Sequence, residues 1–271
     1  MLRSFSEELI VRKMFALACL VLLLSIAIPS GLFADSKDRN GEASSIPATP
    51  ARASERTPIA IGVGVKVSTL GIGGEAALPL AHRANVRVGA NFFNYSHSFV
   101  KDGVTYKGTL NLRSAQATYD FFPMGEFHIS PGVLLYNGNS LTANASVPGG
   151  QSFTLSNTTY VSDGTDPVGG TGKLTTYKTA PMLLVGFGNL IPRSSRHFTA
   201  TFEIGAAYQG APRIALNLSG SACDSTGLNC RTIASDPTIQ SNIQAEQSKL
   251  EKKASPFRFY PVISFGFGFK F

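Results

Sequence analysis

The chain has 271 residues, 15% of them charged, with a formal net charge of +7, 27 glycines, 19 phenylalanines and no tryptophan. A water-soluble domain usually carries about a quarter charged residues, so an ordinary soluble surface fits this composition poorly. The basic surplus is small and spread along the chain, with no Lys/Arg block of the kind that tracks a phosphate backbone, which argues against nucleic acid as a partner.

Residues 1–34 read as a secretory signal. Arg12 and Lys13 precede the apolar run 14–28, and Pro29, Ser30, Gly31 and Leu32-Phe33-Ala34 follow, with cleavage expected after Ala34. Pro29 interrupts the run, and a membrane-spanning helix needs about 20 apolar residues, so a retained helical anchor is the weaker reading. Met14 is an alternative start that would discard the basic flank. Cys19 lies inside the apolar run with most of it still to follow, which argues against a lipid-modified cysteine. Beyond Ala34 the chain carries 21 Lys/Arg, 15 Asp/Glu and two cysteines. Residues 35–57 mix Ser, Ala, Pro and balanced charge without apolar periodicity, the composition of a disordered linker.

From residue 58 to 271 the pattern changes to period-two alternation, the signature of strands. Ile59, Ile61, Val63, Val65 and Val67 share a face. After Thr69 the set Leu70, Ile72, Ala76, Leu78 and Leu80 follows, with Glu75 opposite. Val86, Val88, Ala90 and Phe92 oppose Arg87, and Ala115, Ala117, Tyr119 and Phe121 oppose Asp120. Strands are then expected over 126–136 and 177–188. Phe198, Ala200, Phe202, Ile204, Ala206 and Tyr208 oppose Glu203. The last strand is the cleanest, with aromatic or apolar residues at almost every odd position from Phe257 to Phe271. Eight strands result, and the fold class is an antiparallel up-and-down transmembrane β-barrel. The Phe198 set continues in phase through Ile214, Leu216 and Leu218, so a turn at 209–212 would give a ten-strand alternative.

Short turns alternate with connections that include two long ones, 138–175 and about 219–256, a pattern seen in outer-membrane barrels. Around Phe92-Phe93 and Leu112-Arg113 the apolar phase flips, which marks either a bulge or a strand that has risen above the lipid. Within the second long connection, 236–253 reads as a short helix capped by Asp236, with Pro237 in its first turn and Ile239, Ile243 and Leu250 on one stripe. The Gly-rich stretch 168–173 lacks phosphate-loop spacing and reads as flexible loop. Cys223 and Cys230, close together in an oxidising compartment and without further Cys or His nearby, read as a loop-pinning disulfide and not a metal site.

One face of each strand is apolar or aromatic, and the other carries Gly, Ser, Thr and isolated charges. A solvent-facing side would carry Lys and Glu in place of Gly, whereas small residues suit the crowded interior of a narrow barrel. The apolar face is therefore assigned to lipid. Lys66, Glu75, Arg87, Asp120, Glu203, Arg258 and Lys270 then point inward as a structural charge network, with Glu75 diagonal to Arg87 in the expected hairpin register.

Three blocks, Phe-Tyr-Pro-Val-Ile-Ser-Phe-Gly-Phe-Gly-Phe-Lys-Phe at 259–271, Leu-Leu-Tyr-Asn-Gly-Asn at 134–139 and Tyr-Gln-Gly-Ala-Pro at 208–212, resemble the small outer-membrane β-barrel families of Gram-negative bacteria with OmpA/OmpX-like architecture. The resemblance spans 58–271. It implies outer-membrane insertion, with Phe267, Phe269 and Phe271 similar to the terminal signal read by the barrel-assembly machinery. It implies lipid and lipopolysaccharide as surroundings, and no assigned reaction or cofactor. The expected role is structural or surface-interacting and non-enzymatic. A narrow channel for ions or small solutes is the alternative. A lipid-active enzyme built on His97 with Ser96 or Ser98 and Asp102 comes third, because His beside Ser in a loop is common by chance.

Overall fold

The structure, a computed structural model, describes residues 60–271; the expected signal segment 1–34 and linker 35–57 lie outside the described residues. Eight strands close into a ring: β1 (Gly62–Ser68), β2 (Gly71–Ala81), β3 (Ala84–Lys101), β4 (Val104–Met124), β5 (Phe127–Asn137), β10 (Ala180–Phe187), β11 (Phe198–Tyr208) and β15 (Phe259–Lys270). All pairings around the ring are antiparallel, and β1 meets β15 to close it, for example at Val65 opposite Phe267. These are the eight strands expected from the alternation.

The ring is inside-out relative to a soluble barrel. Val63, Val65, Val67, Val88, Ile204, Phe265 and Phe267 are exposed on the outer wall, while Lys66, Glu75, Arg87, Thr118, Asp120, Ser130 and Glu203 are buried inside. Among the described residues no helix is long and apolar enough to cross a membrane; the apolar wall belongs to strands.

The long connections are not loops. They build a second body continuous with one end of the barrel. β3 and β4 run beyond the ring as a hairpin whose register holds without a break from Ala84 opposite Phe121 to Lys101 opposite Val104. The phase change at Phe92-Phe93 is thus a strand leaving the barrel wall, with no bulge between β3 and β4. On the far side of β4, pairing passes from β5 to β6 (Ser140–Val147), with Gly138 and Asn139 at the handover, where Gly138 N–H donates to Arg113 O. β9 (Val168–Thr175) pairs with β6, and β12 (Arg213–Ser219) pairs with β9. The chain does turn at 209–212, but β12 joins this outer sheet and not the ring, so the ten-strand alternative is not adopted. The stretch 168–173 is accordingly strand and not flexible loop. It is held on both edges by ladder hydrogen bonds.

A smaller sheet of β7 (Ser152–Leu155), β8 (Thr158–Ser162), β13 (Ser221–Cys223) and β14 (Arg231–Thr232) and the helix α1 (Pro237–Ala254) complete the second body. Its core joins Val104, Val147, Tyr160, Val168, Ile233, Ile239 and Ile243. Asp236 caps α1 by accepting from the backbone N–H groups of Thr238 and Ile239, and Pro237 opens the first turn as expected. The helix also guards the sheet edge. Ile214 N–H donates to Glu251 Oε1 at 3.0 Å and Leu216 N–H to Gln247 Oε1 at 3.4 Å. Residues two apart on a strand and four apart on a helix repeat at about the same 6 Å, so the side chains satisfy an edge that would otherwise invite another strand.

Candidate functional site

The barrel interior has three layers along its axis. At the end nearest the second body, Leu70, Leu134, Ala180, Met182, Leu184, Ala207 and Val262 form an apolar plate, flanked by Tyr260, whose hydroxyl donates to Thr69 O at 2.6 Å.

The middle layer is an ion cluster. Lys66 Nζ lies 2.9 Å from Glu75 Oε2, and Arg87 lies 3.2 Å from the same oxygen. Arg87 also grips Asp120 with two bonds, Nε to Oδ2 at 2.9 Å and Nη2 to Oδ1 at 3.0 Å, and a further bond runs from Nη2 to Glu203. Arginine suits this position because its planar fork can serve several carboxylates at once, which a lysine ammonium cannot. Glu203 in turn accepts from Ser264 at 3.0 Å and lies 3.2 Å from His128 Nε2, and Thr118 donates to Asp120 at 3.0 Å. Every charged group in the cluster is almost completely buried. Lys66, Glu75, Arg87 and Asp120 reach one another diagonally across neighbouring strands, whereas Arg87 on β3 meets Glu203 on β11 across the lumen.

Arg258 and Lys270 do not join the cluster. The even face of β15 meets the carboxylates only near Ser264; the two basic residues sit at opposite mouths of the barrel. Arg258, just before β15, is exposed and donates to Ser255 O at 3.2 Å. Lys270 donates to Pro192 O and Ser194 O, each at 2.7 Å. His128, within the strand expected over 126–136, is the member of the cluster that was not among the expected charges. It faces inward with Ser130, out of phase with the exposed Ile129 on the same strand, and that alternation is the signal that would have found it. Gly186 lies between His128 and Glu203 in the strand ladder, and a Cβ there would fall 2.9 Å from His128 Nε2. A glycine is what lets the two side chains meet.

The third layer closes the end that carries β1's start and β15's finish. The connection after β10 folds inward, so that Leu190 and Ile191 are buried with Ala77. Leu190 packs where Gly64 and Gly268 leave room, and its backbone lies over Gly62. Asn189 holds this segment, accepting from Asn85 Nδ2 at 2.8 Å and from Ile191 N–H at 2.9 Å.

The other expected residues lie elsewhere. Cys223 and Cys230 are joined by a disulfide in the second body, around a loop where Asp224 accepts from Thr226 and Asn229. Those bonds, with one from Leu228 N–H, hold the Asp224 carboxyl down to about 2. Phe267, Phe269 and Phe271 lie along the outer wall at its end, with Phe269 edge-on to Phe271. His97 stacks between Tyr95 and Phe99. Its strand neighbours Ser96 and Ser98 point to the opposite face, where Ser96 bonds Thr109 at 2.9 Å, so neither serine meets the imidazole. Among the described residues no group of three or more His, Cys, Asp or Glu is placed to hold a metal ion.

The Asp236 cap gives a pH-dependent handle on the second body. Hydrogen bonds from Ile239 N–H and Arg231 hold its carboxyl below the usual aspartate range. A lowered folded-state value contributes stability above that range and loses it as pH falls through the folded value. Protection of the amides in the first turn of α1, taken relative to the intrinsic exchange rate at each pH, should therefore fall below about pH 4. Asp236→Asn, which keeps an acceptor without a titrating group, should flatten that dependence; an unchanged profile would show that the cap does not control it.

No family model matches the chain, and no curated protein is similar to it in sequence. Three solved structures match the chain. CarO of Acinetobacter baumannii is 23% identical with a TM-score of 0.49, covering 77% of this chain and 96% of that one. CarO2 of Acinetobacter baumannii is 20% identical with a TM-score of 0.50, covering 79% and 99%. A major outer membrane protein from Thermus thermophilus is 12% identical with a TM-score of 0.31, covering 79% and 98%. The likeness to CarO2 is one of fold.

Proposed function

We propose that the chain is an outer-membrane protein with a structural or surface-interaction role and no enzymatic activity, a small barrel of the OmpA/OmpX-like kind. The observation that carries this reading is a lumen filled along its whole axis, by the apolar plate, the ion cluster and the inserted Leu190 segment. Outside, an apolar wall with aromatic residues toward its ends suits a hydrocarbon layer. Export through the 1–34 segment and delivery by the assembly machinery belong to the same proposal. Recognition then falls to the second body, which presents sheets and a helix beyond the wall.

Two measurements test it. The folded protein should migrate differently on SDS gels before and after boiling and fractionate with outer membranes; recovery as a soluble periplasmic protein would overturn the membrane reading. In planar bilayers the inserted protein should show no stable unitary conductance. Regular single-channel steps would replace the sealed barrel with a narrow channel.

A further inference from the structure

The outer sheet has two unlike faces. The face that continues the lumen phase is apolar and packs on α1 and the smaller sheet through residues such as Val104, Val147 and Leu216. The opposite face continues the phase of the barrel's outer wall, because the β3–β4 register is unbroken past Phe92 and Arg113. Its composition changes abruptly there. Below stand Val86, Val88 and Phe92; above stand almost only Asn, Ser, Thr, Lys and Arg.

Four basic residues, Lys107, Arg113, Lys173 and Arg213, are exposed on that face. The five strand segments forming it, 93–101, 104–113, 140–147, 168–175 and 213–219, contain no Asp or Glu. The cations are thus unpaired by acids within their own sheet. Between them run uncharged hydrogen-bonding ladders, with Asn94 to Asn111, Ser96 to Thr109 at 2.9 Å and Thr171 to Asn144 at 2.8 Å. Nine residues of strand beyond Phe92 extend the face about 30 Å above the apolar wall. Arg213 adds a guanidinium 5.9 Å from the ring of the exposed Tyr177.

We propose that this face binds the phosphorylated saccharide of an outer-leaflet glycolipid whose acyl chains lie against the apolar wall below. The inference rests on the membrane reading given above. Cations placed above a hydrocarbon belt meet lipid headgroup phosphates, and the amide and hydroxyl comb is suited to sugar hydroxyls through paired donors and acceptors. The unbroken phase brings both contacts onto one molecule, tail on wall and head on sheet.

The test uses the mature full-length chain in phosphatidylcholine nanodiscs, with purified lipopolysaccharide bearing a phosphorylated core as the probe. The variant carries Lys107→Gln, Arg113→Gln, Lys173→Gln and Arg213→Gln. A charge-matched control carries Arg83→Gln, Arg193→Gln, Arg196→Gln and Lys249→Gln, positions off this face. Binding should weaken roughly tenfold or more in the variant and little in the control. Dephosphorylated glycolipid should lose the same increment, and phosphatidylglycerol should bind more weakly because it lacks the extended saccharide. Equal affinity of variant and parent, an equal loss in the control, indifference to dephosphorylation, or phosphatidylglycerol binding as tightly would each overturn the proposal. Gel mobility before and after boiling separates the two readings. A chain that inserts but ignores the glycolipid overturns this inference alone, and one that fails to insert overturns both.

Discussion

Arg87→Ala is expected to destabilise the barrel by about 3–5 kcal/mol, read as a fall in the urea unfolding midpoint in detergent micelles. Arg87 touches Glu75, Asp120 and Glu203, and its own side chain is 4% exposed. Without it Lys66 is the one Lys or Arg of the cluster left against three buried carboxylates. The attraction within such a cluster roughly offsets the cost of burying its charges, so the intact cluster adds little net stability. Breaking it by removing one partner leaves uncompensated charge, which is why the loss is large. Arg87→Lys should recover only part of the loss, because an ammonium cannot hold Asp120 with two parallel bonds while also reaching Glu203. Adding Asp120→Asn to Arg87→Ala should recover part as well, by removing one of the stranded charges. A midpoint unchanged in Arg87→Ala would show that the cluster is not a structural element of the barrel.

The second large effect is expected at Leu190. Leu190→Ala removes a side chain that is 4% exposed and wedged where Gly64 and Gly268 leave a hollow. Glycine cannot refill the space, so the cavity persists and the loss should approach about 3 kcal/mol, within the range for buried leucine truncation. The readout is again the urea midpoint, with amide exchange at Ile191 as the local reporter. Ile191 N–H donates to Asn189 and should be protected only while the segment stays inserted. Conductance should stay absent in this variant, because the apolar plate of Leu70, Leu134, Met182 and Leu184 still closes the other end. Unitary steps in Leu190→Ala alone would show that the plate does not seal.

How far the sequence makes this legible differs from residue to residue. Lys66, Glu75, Arg87, Asp120 and Glu203 could be named from alternation alone, since each sits out of phase with an apolar run. Arg258 and Lys270 satisfied the same rule and lie elsewhere. Alternation reports which face a residue takes, and carries no information about its height along the barrel axis. His128 stands in the same inward phase as Ser130, opposite Ile129, but nothing local in the sequence brings its imidazole to Glu203, 75 residues away. The stretches 138–175 and 219–256 read as loops because their strands are short and rich in Ser, Thr, Gly and Asn, residues that also populate loops. Their pairing, such as Asn144 with Thr171 and Ile214 with Leu174, joins segments far apart in sequence.

The sequence by itself determined the eight barrel strands, the outward direction of their apolar faces, and the helix with its Asp236 cap. These depend on period-two and period-3.6 patterns and on local capping chemistry, all contained within a few neighbouring residues. Only the tertiary structure decided that β12 leaves the ring, that Leu190 plugs it, that His128 completes the ion cluster, and that a basic, acid-free sheet face stands above the apolar wall. Those features depend on strand register and on contacts across scores of residues, where each local segment is compatible with several partners and packing selects one.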